Sequence, residues 1–310
     1  MILFAGIPSE EPLALAIAAA QARGVPHVAL YQRHAPYIDM SLDVRNGAVT
    51  GALWLWERCL PLTDVTGVYA RVVDGADLPE TRSRVGAPPH VAERCAFLHT
   101  MLNDWLEIAD CPVLNRPAAM ASNASKPYQL QRIAAAGFAV PDTLVTDDPV
   151  ALRHFARAHQ RVIYKSTSGV RSIVTELSPD RSDTALARLR HLPTQFQQFV
   201  DGTNVRVHVV GTEVFATEIR TRAIDYRYAH QVGADVAMSA ITLPPDIADR
   251  CVELSARLEL PFCGIDLKRT GNGEWYCFEV NPSPAYSYYQ EHTLQDIADA
   301  VVRYLSAGSS

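Results

Sequence analysis

The chain has 310 residues, a formal net charge of −6 and an apolar fraction of 48%. That length holds two or three domains. No apolar run nears the roughly 20 residues of a membrane span, and an acidic balance argues against general nucleic-acid binding, which needs a basic face.

The opening Ile2–Ile7 reads as a buried first strand; the segment is too short, and lacks the basic start, for a signal peptide. An Ala-rich helix over Glu11–Arg23 follows, with Gly24 as its cap, and then a strand His27–Tyr31, the start of a βαβ unit. Further strands are expected at Ala52–Trp56 and Gly67–Arg71, and a helix at Pro89–Ala109. No Gly-x-Gly-x-x-Gly follows the first strand, so the dinucleotide fingerprint is absent. Arg71, at a strand end, reads as an ion-pair partner or a group that orients a carboxylate. The six cysteines show no Cys-x-x-Cys or zinc spacing and are expected to be reduced core residues of a cytoplasmic protein.

Cys111–Pro117 leads into a linker, with a boundary near Ser122–Ser125. A helix is expected over Lys126–Ala136, with Ser125 as N-cap and Gly137 closing it. Lys126 falls in the first turn, where the helix dipole disfavours a cation, which hints at a task for it. A strand Thr143–Thr146, a helix Pro149–His159 and a strand Arg161–Lys165 come next; the last runs into the small-residue loop Ser166–Arg171, whose backbone could cradle phosphate oxygens. No P-loop motif occurs. Of 28 basic residues only three are lysine, namely Lys126, Lys165 and Lys268, so they mark places where a compact ammonium serves and arginine does not.

Strand Gln195–Val200 precedes a hairpin of Val205–Val210 and Glu213–Ile219 around Gly211-Thr212. Arg206, Arg220, Arg222 and Arg227 follow closely; such guanidinium forks bind phosphates and carboxylates, or simply bridge salt partners on a sheet face. A helix over Leu243–Leu260 and a last helix over Thr293–Leu305 bracket the most informative segment, Gly264–Lys268 with Cys277–Pro282. If Asn272-Gly273 forms a two-residue loop, Asp266 stands opposite Glu279, and Asn281 shares their face. Facing carboxylates repel. Three oxygen-bearing groups crowded there call for a cation, and hard oxygen donors suit Mg²⁺ together with substrate phosphates.

Two lysines about forty residues apart, a small-residue loop and Asp266 with Glu279-Val280-Asn281 resemble the ATP-grasp superfamily over about residues 120–290. Ser125–Gln131, Asn204–Gly211, Asp225-Tyr226-Arg227 and Glu279–Pro284 look like the RimK-like ligases, particularly the graspetide (microviridin-type) peptide ligases. The resemblance implies an α/β (α+β) ATP-grasp fold: an N-terminal domain over 1–118, a small central lid over 119–195 and a C-terminal subdomain over 196–310. It implies ATP and two Mg²⁺ ions, Mn²⁺ being an alternative, held by Asp266, Glu279 and Asn281. Lys126, Lys165, Ser168 and Gly169 would meet ATP phosphates, and Gln198, Phe199, Val200 and Asp201 would line the adenosine side. The hinge often carries glutamate where Gln198 stands. Arg206 and Arg220 would contact the transferring phosphoryl group, and Arg222 and Arg227 the acceptor; Asp225 and His230 are candidate bases. The implied reaction activates a carboxylate as an acyl phosphate and joins it to an amine or hydroxyl of a peptide or amino acid, with a homodimer an open option and no membrane or nucleic-acid partner. A small-molecule kinase and a non-catalytic binding module are the alternatives.

Overall fold

The computed structural model describes residues 1–81, 89–166, 175–177, 194–221 and 235–307, without the side chains of Pro89, Lys165 and Ser166. Strands β1 (Ile2–Gly6), β2 (His27–Tyr31), β6 (Gly67–Ala70) and β7 (Val113–Leu114) form a parallel sheet in the order β2-β1-β6-β7. Helix α1 (Glu11–Ala22) makes the expected crossover, and α2 (Pro89–Ile108) follows β6. The expected strand at Ala52–Trp56 is part of a larger unit: β3 (Ile38–Arg45), β4 (Ala48–Leu55) and β5 (Arg58–Pro61) pair as an antiparallel sheet. Its signal is the alternation of Ile38, Met40, Leu42 and Val44, closed by Asn46-Gly47, both at positive φ between the paired Arg45 and Ala48.

After α3 (Pro117–Met120), helix α4 (Lys126–Ala135) begins as expected, but the Ser125 side chain makes no capping hydrogen bond. Strands β8 (Thr143–Thr146), β9 (Val162–Ser166), β10 (Thr175–Glu176) and β11 (Thr194–Gln198) form an antiparallel sheet of order β10-β9-β11-β8, packed on α5 (Pro149–Ala158) around Leu152, Val162 and Phe196. Asp148 caps α5 by accepting from Val150 and Ala151 N–H.

The largest sheet is antiparallel, ordered β14-β13-β12-β15-β16, from β12 (Thr203–Val210), β13 (Glu213–Thr221), β14 (Val236–Ile241), β15 (Phe262–Arg269) and β16 (Trp275–Asn281). Its odd-numbered β12 residues Val205, Val207 and Val209, with Cys263, Ile265, Leu267, Cys277 and Val280, pack against α4 and α6 (Pro245–Arg257). Each fully buried aliphatic side chain there contributes about 1.5–3 kcal/mol. The other face of the sheet carries Arg206, His208, Asp266 and Glu279, because side chains alternate along a strand.

The last helix, expected over Thr293–Leu305, is α8 (Ile297–Ala307); a separate helix α7 (Ser287–Thr293) precedes it, and the break falls at Leu294, which is left-handed and exposed. The break lets Ile297, Val301 and Leu305 pack on Leu13, Ala16 and Ala20 of α1. Cys95, Cys251, Cys263 and Cys277 are buried free thiols, as expected, but Cys59 is exposed and Cys111 half-buried. Among the described residues no helix is long and apolar enough to cross a membrane.

Candidate active site

The β15–β16 hairpin pairs Asp266 with Glu279 and Gly264 with Asn281, by a route the sequence did not suggest. The turn is longer than Asn272-Gly273. Arg269 pairs with Trp275, Thr270 N–H donates to the Glu274 carbonyl, and Gly273, at φ 89°, sits inside the loop. A bulge between Asp266 and Leu267, with Phe278 as the extra residue opposite, then shifts the register by one. The longer turn and the bulge cancel, so Asp266 and Glu279 still meet.

Their charges are met by two side-chain cations. Arg206, paired with Asp266 across β12–β15, donates from Nη1 to Asp266 Oδ1 at 2.7 Å. Lys126 donates from Nζ to Glu279 Oε1 at 2.6 Å and to Asn123 Oδ1 at 2.6 Å. The lysine that the helix dipole disfavours is thus offset by an acid 153 residues away. Facing acids therefore do not by themselves require a metal here. The donor set still fits one: two partly open carboxylates and a carboxamide, all hard oxygens, short of a full protein cage and suited to Mg²⁺ that keeps phosphate oxygens. Among the described residues no cluster of three or more His, Cys, Asp or Glu could hold a metal by protein ligands alone.

Two buried carboxamides hold this edge in place. Gln129 of α4 donates to the Val280 carbonyl at 2.8 Å and accepts from Val280 N–H at 3.0 Å, so it completes the outer edge of β16 between Glu279 and Asn281. Asn115 pairs in the same way with Phe262 N–H and C=O and reaches the Pro282 carbonyl at 2.6 Å. Asn281 Oδ1 accepts from Ser283 N–H at 2.9 Å. Neither Gln129 nor Asn115 was singled out from sequence; an amide inside an apolar helix face, as at Gln129, was the available signal.

At the other end of β15, Lys268 lies on the face of Asp266, two residues on. It donates to the Val200 carbonyl at 3.0 Å, near the rings of Phe199 and Phe278, and burial lowers its pKa. Arg161 stacks over Phe199, 3.6 Å from the ring centroid, and forks Glu176. Phe199 N–H donates to the Arg161 carbonyl, and Gln198 exchanges backbone and side-chain contacts with Asp142. The exposed Asp201 accepts from Gly202 N–H through Oδ1. Gln198, Phe199, Val200 and Asp201 thus form one junction between β11 and β12.

Residues 123–305 match the RimK-like ATP-grasp domain. The chain belongs to that family. The RimK-like chain is 29% identical to the probable alpha-L-glutamate ligase of Mannheimia succiniciproducens, over 64% of this chain and 69% of that protein. It is 26% identical to human beta-citrylglutamate synthase B over 65% of this chain, but spans only 55% of that protein's length. It also superposes on the ATP-grasp ligase PsnB, solved with a phosphomimetic variant of minimal precursor, Mg and ADP: TM-score 0.81, 26% identity, 100% of this chain and 98% of that one. The macrocyclase MdnC from Microcystis aeruginosa, bound with precursor peptide MdnA, shares the fold at TM-score 0.80 and 19% identity over 99% of each chain. ATP-dependent carboxylate–amine ligation is the activity class these relatives support.

Within this RimK-like frame the structure gathers Lys126, Arg206, Asp266, Glu279 and Asn281. It does not bring Arg220 to them. Arg206 pairs with Thr217, and three further residues along β13 place Arg220 on the opposite face, where its exposed guanidinium binds buried Glu218 at 2.6 Å; Arg269 shares that acid at 3.2 Å. Lys165 is backbone-paired with Gln195, its side chain outside the described residues. Ser168, Gly169, Arg222, Asp225, Arg227 and His230 lie outside them as well. Arg71 forms the ion pair expected of it, with Nη2 binding Glu10 at 2.6 Å, and the residue also lines a cavity of about 600 Å³ at the carboxyl ends of β1 and β6. Arg71 Nη1 also reaches the Pro284 carbonyl, just beyond Asn281.

Proposed function

We propose that this protein activates a carboxylate of a peptide with ATP and joins it to an amine or hydroxyl. The observation that carries the reading is the sheet face on which Asp266 meets Arg206 and Glu279 meets Lys126, with Asn281 two residues along the strand from Glu279. The likeness to PsnB solved with precursor peptide PsnA2, at 25% identity, supports a peptide over a free amino acid.

Asp266, Glu279 and Asn281 would hold Mg²⁺, two ions in the fullest form of the site, with Mn²⁺ able to substitute. Bound there, the metal supplies charge neutralisation to the phosphates. Lys126, bound to Glu279, would transfer its ammonium from that carboxylate to a phosphate oxygen. Lys165, Ser168 and Gly169 would complete the phosphate contacts, and the Gln198–Asp201 junction would receive the adenosine. Arg206 would face the phosphoryl group as the substrate carboxylate attacks the γ-phosphorus, giving an acyl phosphate and ADP. The nucleophile then adds to the acyl carbon, the fixed guanidinium stabilises the tetrahedral oxyanion, and its collapse breaks the acyl–oxygen bond and releases inorganic phosphate, which can take up the proton the nucleophile loses. Arg222 and Arg227 would meet the acceptor, and the cavity at Arg71 gives room for the substrate chain, at the strand ends where open α/β sheets bind ligands. The buried free thiols fit a reducing compartment such as the cytoplasm.

Asp266→Asn and Glu279→Gln are expected to lower peptide-dependent ADP formation by at least about 100-fold with unchanged circular dichroism. Wild-type turnover in both variants refutes the reading.

A further inference from the structure

Gly264 is the residue on which the placement of Arg206 depends. A Cβ built there would lie 2.0 Å from Arg206 Nη2, 2.5 Å from Cζ and 2.9 Å from Nε. The guanidinium thus leans along the sheet from its own position opposite Asp266 and occupies the space a side chain at 264 would fill. Gly264 is itself the cross-strand partner of Asn281 on one side and of His208 on the other. Nothing in the backbone asks for glycine here, since Gly264 does not adopt a positive φ. Its lack of a side chain has one visible consequence, room for the guanidinium.

The other walls of that space are equally specific. His208 is fully buried, and its Nε2 lies 3.5 Å from Arg206 Nε, placed to accept. Tyr289 of α7 covers the group, with Arg206 Cζ 5.6 Å from its ring centroid and His208 edge-on to the same ring at 5.0 Å. Asp266 fixes Nη1. The Arg206 side chain is only 6% exposed. A buried guanidinium held on four sides is preorganised and need not reorient when charge develops nearby.

We propose that Gly264, His208 and Tyr289 form a seat that fixes the Arg206 guanidinium beside Asp266 and Asn281, with Gly264 as the residue that sets its position. They are positioning residues, acting through Arg206. The functional half rests on the reading of Arg206 as the cation that meets the phosphoryl group. The structural half does not depend on any activity.

The test is a double-mutant cycle read in two ways. Gly264→Ala should lower the melting temperature by several degrees in the wild-type background and leave it unchanged within error in Arg206→Ala, because the added methyl then meets no guanidinium. Equal losses in both backgrounds overturn the seat. For peptide-dependent ADP formation, Gly264→Ala should lower kcat by about 100-fold with KM for ATP little changed, and add less than about threefold to Arg206→Ala. Coupled stabilities with uncoupled or unchanged kcat overturn the catalytic half and the role assigned to Arg206, while leaving the seat. His208→Gln, which retains an acceptor, should keep more activity than His208→Leu; the reverse order counts against the His208 wall.

Discussion

Replacing Gln129 with leucine tests how the site edge is held. The side chain is 1% exposed, and its carboxamide satisfies both backbone groups of Val280 on the outer edge of β16. Leucine matches the volume but bonds to neither, leaving one buried N–H and one buried C=O unpaired. Each such group costs about 1–3 kcal/mol, so the loss should be about 2–6 kcal/mol. That is a large part of a typical domain stability of about 5–15 kcal/mol. Urea denaturation followed by far-UV circular dichroism measures it, with Gln131→Leu as a control, since Gln131 is exposed two residues away. The control should change stability by less than about 0.5 kcal/mol. Because Val280 separates Glu279 from Asn281, the variant should also weaken Mg·ATP-induced stabilisation. A Gln129→Leu loss below about 0.5 kcal/mol refutes the account of how β16 is anchored.

Burial, and secondarily the Arg206 charge, holds the His208 pKa well below its usual 6.5. The unfolded chain then binds a proton near pH 6.5 that the folded chain refuses. Stability should therefore fall as pH drops below about 6.5, by at most about 1.4 kcal/mol per pH unit from this group, and level off above it. Denaturation midpoints from pH 5 to 8 check this; a slope that persists unchanged in His208→Gln refutes it. Burial also pushes the Cys263 thiol up to about 12 and raises those of Cys95, Cys251 and Cys277. In a thiol titration of the native protein, exposed Cys59 should react first and Cys111 more slowly, with the four buried thiols reacting only on unfolding. Prompt native-state labelling of Cys251, Cys263 or Cys277, read by peptide mapping, contradicts the packing described for that core.

Much of the frame is written locally. Period-two and period-3.6 patterns placed β1, α1, β2, α4 and α5 within a residue or two, because each buries one face of a regular element. The hairpin at Ile38–Leu55 was not among the expected elements, although its signal, the alternation of Ile38–Val44 ahead of Asn46-Gly47, is local. Glu279 and Asn281 share a face by their spacing alone, and Asp266 meets them once the strands pair. What neighbours decide was not legible. The last helix, expected from Thr293, starts only at Ile297, after the left-handed Leu294, and its apolar side chains pack in the core that α1 offers. Arg220 follows Arg206 closely in sequence yet faces the other way, because strand alternation and the β12–β13 register fix which face it occupies. The acids Asp266 and Glu279 and the lysine Lys126 stand out by residue type, but Lys126 on Glu279, Arg206 over Gly264 and Gln129 on Val280 join residues up to 153 positions apart. The sequence by itself determined which chemistry the chain carries, since residue type and strand spacing are local. Only the tertiary structure decided which cation answers which acid, because those partners meet only when α4, β12 and β16 pack around one sheet.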